Sequence, residues 1–300
     1  MSETHLSALI PLWALFGILA AALSSAQMLL QERLKAAPLP MAFWSKAACA
    51  LVMIPFVVAV GLPHNPLYYM LLIAQSLLWV ISDVIFYRGI NEVGAGIIAR
   101  ILPLATLVGF FLWFAIDWPL ANSYIAQPLH SAMIAIVMGL TAFFAWHLKS
   151  CPVTKKALRA VWFVLFASIV GSLSTKIITQ YADIQQGISA YIFCEALIML
   201  TMWLLYYAVR RPLPLQVMFG LSAIKSGFQV GAVAACGIAA TVYAVYHIDN
   251  PAYVSAVRYL DAVMIFFFYR ATGRPNQGHV WAGFGIVACA AALVILKAQH

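Results

Sequence analysis

Apolar residues run for about twenty positions at a time without alternation, and short breaks between the runs collect the prolines, glycines and charges. Cutting at those breaks gives ten stretches, 9–30, 41–60, 67–90, 95–116, 130–148, 158–180, 188–209, 224–248, 252–269 and 279–296. Each is long enough to cross a hydrocarbon core of about 30 Å as a helix. Transmembrane barrel strands are shorter and alternate apolar with polar residues, whereas a helix satisfies every backbone N–H within its own segment. The pattern predicts an all-α integral membrane protein with ten transmembrane helices.

Composition narrows the field further. Of 300 residues, 65% are hydrophobic and 9% charged, and the mean hydropathy is +0.95, far outside the range of soluble domains. Ten spans leave only short loops, which excludes a soluble enzyme and a nucleic-acid reader. The first stretch ends Ala-Leu-Ser-Ser-Ala before Gln27, as a signal peptide could, but no Lys or Arg precedes it and the apolar run continues to Leu30, so it is read as a first span. Cys49, Cys194, Cys236 and Cys289 fall inside apolar runs and only Cys151 in a loop; no disulfide framework is visible.

The one loop with several charges in succession, Lys149 to Arg159, falls at mid-chain. It divides the protein into a first five-helix repeat (1–148), a basic linker (149–157) and a second five-helix repeat (158–300). Sliding the halves over one another at an offset of 158 pairs Ile90 with Ile248, Asn91 with Asp249, Arg100 with Arg258, Leu102 with Leu260 and Phe110-Phe111 with Phe268-Tyr269. Nearer the start an offset of 149 pairs Ser25 with Ser174, Gln31 with Gln180 and Lys46 with Glu195. An odd number of helices per repeat makes the second copy enter the bilayer from the opposite face, so the repeats are inverted. The loops after helices 1, 3, 5, 7 and 9 then hold Arg33, Lys35, Arg88, Lys149, Lys155, Lys156, Arg159, Arg210, Arg211, Arg270 and Arg274, against little beyond Lys297 on the other face. The positive-inside rule makes the basic face cytoplasmic and puts both termini outside.

The string from Tyr87 to Leu104, Tyr-Arg-Gly-Ile-Asn-Glu-Val-Gly-Ala-Gly-Ile-Ile-Ala-Arg-Ile-Leu-Pro-Leu, joins a small-residue helix junction to a short apolar stretch and Leu102-Pro103. It resembles the EamA-type branch of the drug/metabolite transporter superfamily. His247 to Asp261 is similar to the matching junction of a second copy, and Gly278 to Leu296 to the last helix of such proteins. The resemblance covers the whole chain in helix count and implies a ten-helix transporter with cytoplasmic termini, opposite to the charge bias. The chain departs from the pattern in two places: the acid expected after the fourth helix of each half is present only as Asp117, and Asp261 stands where the second-copy proline is expected.

A charge in a membrane helix costs roughly 2.5–3.5 kcal/mol on insertion scales, so each needs a partner, a cavity or a helix end. Eight qualify: Lys46, Asp83, Arg88, Arg100, Lys176, Glu195, Arg258 and Asp261. Arg100 and Arg258 each lie roughly 8 Å deep at 1.5 Å per residue, entering from opposite faces. Their planar forks suit an anion clamp on carboxylate or phosphate. The structural alternatives are snorkelling to the headgroups or pairing of Arg258 with Asp261 and of Arg100 with Asp83. Glu195 is either a proton-coupling carboxyl or the partner of Lys176, and Asp83 is a second proton candidate.

The candidate substrate-binding set is therefore Arg100, Arg258, Lys46, Lys176, Trp79 and Tyr243, with Glu195, Asp83 and Asp261 for proton coupling or charge pairing. Tyr68, Tyr69, Trp118, Trp146, Tyr206, Tyr207 and Trp281 sit near span ends, where aromatic belts form. Trp13, Trp44, Trp79 and Tyr243 lie deeper and either wall a cavity or pack. Pro55 and Pro103 are expected to kink the second and fourth helices. No catalytic constellation, metal-ligand spacing or phosphate loop is present, so the expectation is a non-enzymatic secondary transporter, exporter or exchanger, with no cofactor and no metal. It carries a small polar metabolite, anionic or amino-acid-like, by alternating access; the alternative is a flippase for a lipid-linked head group. The expected partners are that small molecule and the lipid bilayer, with a cell membrane, the bacterial inner membrane foremost, as the expected location, homodimerisation left open and nucleic acid excluded.

Overall fold

The computed structural model describes residues 11–148, 155–273 and 279–298, the side chains at 100, 101, 103, 104 and 155–161 excepted. Arg100 as a side chain, and most of the basic linker with Cys151, thus lie outside the described residues. The described chain is helical without strands. Its elements are α1 (Leu12–Leu34), α2 (Pro38–Val60), α3 (Pro66–Val93), α4 (Ala95–Ile101), α5 (Pro103–Ile116), α6 (Trp118–Ala126), α7 (Pro128–His147), α8 (Lys155–Thr179), α9 (Ile184–Arg210), α10 (Leu215–Phe219), α11 (Leu221–Tyr246), α12 (Ala252–Val257), α13 (Leu260–Ala271) and α14 (Val280–Ala298). Among the described residues nine helical segments are long and apolar enough to cross a membrane, or ten if a bent pair formed by α5 and α6 is one span. Large apolar side chains cover the outside, Val58 at 81% and Leu129 at 76% exposure among them, a surface suited to lipid. This is the build of a multi-pass membrane protein.

Two predicted spans are not single helices. The fourth is split at Leu102 into α4 and α5, because Pro103 has no N–H to donate to the preceding turn. Past Ile116 the chain turns by 106° into α6, which the apolar pattern did not reveal. Asp117 caps α6 by accepting the backbone N–H of Leu120 at 3.0 Å, a common helix start. The ninth span is split between Val257 and Leu260 into α12 and α13. No proline sits there; the backbone tightens instead, Asp261 N–H donating to Arg258 O at 3.0 Å and Ala262 N–H to Tyr259 O at 3.1 Å. By contrast α2 runs on through Pro55.

Packing follows small residues. α11 lies against α1 and α2; α2 also meets α9; α3 meets α8 and α9; α5 meets α8 and α12; α1 meets α13; and α7 pairs with α14. At Gly231 on α11 an added Cβ would stand 2.2 Å from the Ser45 carbonyl oxygen, and at Gly171 on α8 one would stand 2.3 Å from the Trp79 ring. Glycine at these positions permits the close backbone approach on which helix association in lipid depends. Four cysteines, at 49, 194, 236 and 289, are free thiols, and Cys49 donates to Gly231 O at 3.3 Å.

The aromatic expectations separate. Trp118, Trp146, Tyr206 and Trp281 are exposed at helix ends, as membrane anchors are. Tyr68 is instead fully buried, its hydroxyl donating to Gly187 O at 2.8 Å, and Tyr207 is buried with its hydroxyl on Leu213 O at 2.9 Å. Tyr68 thereby ties α3 to α9 and Tyr207 ties the end of α9 to the loop that follows it, because a phenol reaching a buried carbonyl satisfies two polar groups at once.

Candidate functional site

Where α1, α2, α3, α5, α8, α9, α11, α12 and α13 converge they enclose a cavity of about 290 Å³. Its wall is polar for a membrane interior. Lys46, Asp83, Glu195, Arg258 and Asp261 all line it, together with Trp79 and hydroxyl side chains such as Ser24, Thr106 and Tyr259. The two cations against three carboxylates give the described lining a formal charge of −1 if all are ionised, which weighs against a purely anionic substrate.

The charges fall into two groups. On one side Lys46 Nζ lies 3.1 Å from Glu195 Oε2 and 3.7 Å from Asp83 Oδ2, joining α2, α9 and α3. Lys46 and Glu195 are both buried. Hydroxyls surround this node: Tyr87 donates to Ser45 Oγ at 3.3 Å and accepts from Gln27 Nε2 at 3.2 Å, while Gln75 Nε2 donates to Tyr191 and Thr175 at 2.8 and 2.9 Å. A buried lysine so placed gives both carboxylates an opposite charge at close range in low dielectric, one positive charge for two negative ones.

On the other side, at the break between α12 and α13, Asp261 is 5% exposed and its Oδ2 accepts from Ser24 Oγ at 3.3 Å, while its backbone carbonyl accepts from Ser25 Oγ at 3.3 Å. Its Oδ1 is buried without a hydrogen-bond partner, and so is Arg258 Nε. The expected ion pair between Arg258 and Asp261 does not close among the described residues. Three residues apart across a tightened turn, the two residues instead line the same cavity, each with one polar atom buried just behind the wall and left without a partner. Each such orphan costs about 1–3 kcal/mol, so a wall carrying both is poor as mere structure and well suited to a ligand that supplies their partners.

The sequence-derived set is thus only partly brought together. Lys46, Trp79, Asp83, Glu195, Arg258 and Asp261 share the cavity. Lys176 does not line it: its Nζ donates to Val245 O at 3.0 Å, and its expected pairing with Glu195 is replaced by Lys46–Glu195. Tyr243 is also outside the lining, packed against Phe16 with ring centroids 4.1 Å apart and against His247 at 4.7 Å. Trp13 and Trp44 are packing residues, Trp13 edge-on to Tyr253 at 6.0 Å and Trp44 donating to Met218 O at 2.8 Å. Arg88 is exposed and paired with Glu92 at 3.1 Å, as its place near a helix end requires. Sequence reading did not single out Ser24, Gln27, Gln75, Thr175 or Tyr191. Their signal, polar residues inside otherwise apolar spans, is visible only after the helices are turned to face one another.

Comparison of the chain with protein-family models and with curated proteins finds no match.

Proposed function

We propose that this membrane protein is a secondary transporter of a small polar metabolite, exporter or exchanger, built from two inverted five-helix halves that rock about the central cavity. The cavity itself is the observation that carries the reading: a charge-lined chamber inside a lipid-embedded bundle, walled by the break in α4–α5 and the break in α12–α13. Interrupted spans at corresponding places in two halves are the usual signature of a transporter's binding site. Intramembrane charges facing a cavity have the same meaning.

The helix pairings support the two-repeat reading. Exchanging α1 with α8, α2 with α9, α3 with α11, α4–α5 with α12–α13 and α7 with α14 maps the main contacts onto one another. The contact of α1 with α11 becomes that of α8 with α3, and that of α2 with α11 becomes that of α9 with α3. The contact of α5 with α12 becomes that of α13 with α4, and the contacts α2–α9 and α7–α14 map onto themselves, as pairs straddling a two-fold axis do. The Lys/Arg asymmetry supports termini outside the cytoplasm, and fluorescence of a cytoplasm-dependent reporter fused after His300 reports the opposite.

The substrate class follows from the wall. With a formal −1 among its described residues and an orphaned donor and acceptor on neighbouring residues, it favours an amino-acid-like zwitterion over a simple anion, the carboxylate on Arg258 and the ammonium on Asp261. Thermal unfolding of the detergent-purified protein against panels of zwitterionic amino acids, dicarboxylates and organic amines tests this, because a ligand bound only by the folded state raises the midpoint. Zwitterions are expected to stabilise. A response to dicarboxylates alone overturns the charge reading, and scrambling of head-group lipids in vesicles without any soluble ligand replaces the transporter with the flippase.

A further inference from the structure

The Lys46–Glu195 ion pair joins residues 149 positions apart, the same offset that pairs Ser25 with Ser174 and Gln31 with Gln180. A residue touches its own repeat mate only where the axis relating the repeats passes. Lys46 lies eight positions into α2, counted from Pro38, and Glu195 eleven into α9, counted from Ile184. At 1.5 Å per residue they lie roughly 12 and 16 Å along helices that start from opposite faces, so they meet near the middle of a core of about 30 Å. This is the one depth that remains equally far from both faces while the halves rock.

The charge arithmetic at this point does not close. One ammonium faces two carboxylates, Glu195 Oε2 at 3.1 Å and Asp83 Oδ2 at 3.7 Å; Lys46 and Glu195 are buried and only the Asp83 side chain, 20% exposed, opens to the cavity, so a net charge here is largely withdrawn from water and expensive. Among the described residues the other titratable groups set against the node do not supply a compensating positive charge: Cys49 on α2, Tyr87 on α3 and Tyr191 on α9, all neutral acids when protonated. Tyr87, Tyr191 and Cys49 are engaged in hydrogen bonds. A single proton would bring the node to neutrality. A metal ion fits less well, because the lysine ammonium already stands between the carboxylates and no metal-ligating cluster occurs among the described residues.

We infer that Asp83, Lys46 and Glu195 form the coupling-ion site of the transporter and that the ion is a proton. The inference rests on the transport reading above. In the protonating step a proton adds to a Glu195 carboxylate oxygen and forms an O–H bond. Lys46 keeps its own protons and shifts its ammonium toward Asp83. Release of the proton to the opposite face restores the Lys46–Glu195 pair. Because Lys46 and Asp83 belong to one half and Glu195 to the other, the choice of partner fastens or loosens the two halves.

Infrared spectroscopy of the purified full chain in lipid nanodiscs, titrated with acid and base in H₂O and in D₂O, tests the site without a substrate. The expected result is a protonated-carboxyl band that appears as pH falls, shifts in D₂O, loses most of its area in Glu195→Gln or Asp83→Asn, and persists in Asp261→Asn. Two variants are used so that poor folding of one leaves the other decisive. The site is overturned by the absence of a titrating band, by a band lost only in Asp261→Asn, or by a band that sodium chloride abolishes at fixed pH. A titrating band in a protein that responds to no ligand panel faults the transport reading, whereas a ligand response without the band faults the proton site.

Discussion

The two charged regions of the cavity differ in how they satisfy their members. At the Lys46 node the opposite charges meet at 3.1 and 3.7 Å and link three helices. At the α12–α13 break, Arg258 Nε and Asp261 Oδ1 remain buried without partners although only two residues separate them in sequence. In the first region every charge has an oppositely charged neighbour, whereas in the second a donor and an acceptor are left unmet by the fold. Partnered charge fixes the relative position of helices, while a charge with an orphaned atom near a helix break is, on the proposed function, what a substrate would engage, so substitutions in the two regions should have opposite signatures.

The largest effect is expected at the closed node. Lys46→Met strands two carboxylates, and removal of one partner of a buried pair costs about 3–5 kcal/mol; Lys46→Met combined with Glu195→Met should recover a good part of it. Denaturant unfolding in mixed micelles reads both. A single variant as stable as wild type would show that this node does not hold the bundle.

Next in size is the backbone contact beneath the node. Gly231→Ala places a methyl 2.2 Å from Ser45 O and should push α11 from α2 at a cost of roughly 1–3 kcal/mol. Gly139→Ala is the control: nothing lies within 4 Å, and alanine in place of glycine inside a helix should be neutral or stabilising by up to about 1 kcal/mol. Equal melting temperatures for the two variants would remove the small-residue interface from the account.

At the open region stability and binding should part. Arg258→Gln and Asp261→Asn relieve unpartnered charges, so each should unfold within about 1 kcal/mol of wild type, while losing roughly 1.5–3 kcal/mol of charge-assisted hydrogen bonding to a zwitterion. That is about a ten- to hundred-fold loss of affinity by isothermal titration, and unchanged affinity in both variants would sink the clamp. The smallest effect is expected outside the cavity. Arg88→Ala breaks an exposed pair with Glu92, an exchange of only about 0.3–0.5 kcal/mol, detectable as a salt-dependent difference in melting and absent at high salt.

The apolar pattern was enough to establish helices, their approximate ends and their membrane setting, since burying twenty apolar residues in lipid is a local property of each stretch. It also marked Lys46, Asp83, Glu195, Arg258 and Asp261, because charges are rare enough inside spans for each to stand out. It did not reveal which charges meet. The sequence offered Lys176 as the partner for Glu195, and only the packing of α2 against α9 selects Lys46. Nor did it reveal the split of the ninth span, which contains no proline and depends on a tightened turn, or α6, whose start rests on one side-chain cap.

The sequence by itself therefore determined the solvent this chain lives in and the inventory of charges it carries through it. Tertiary structure alone decided that Tyr68 ties helices together instead of anchoring in a headgroup layer, that Tyr243 and Lys176 stand outside the cavity, and that Arg258 and Asp261 line it without closing on each other. The reason is one of range. Hydrophobic length acts within a segment, whereas a partner for a buried polar atom comes from another helix a hundred or more residues away, at a distance set by which glycines let the helices approach.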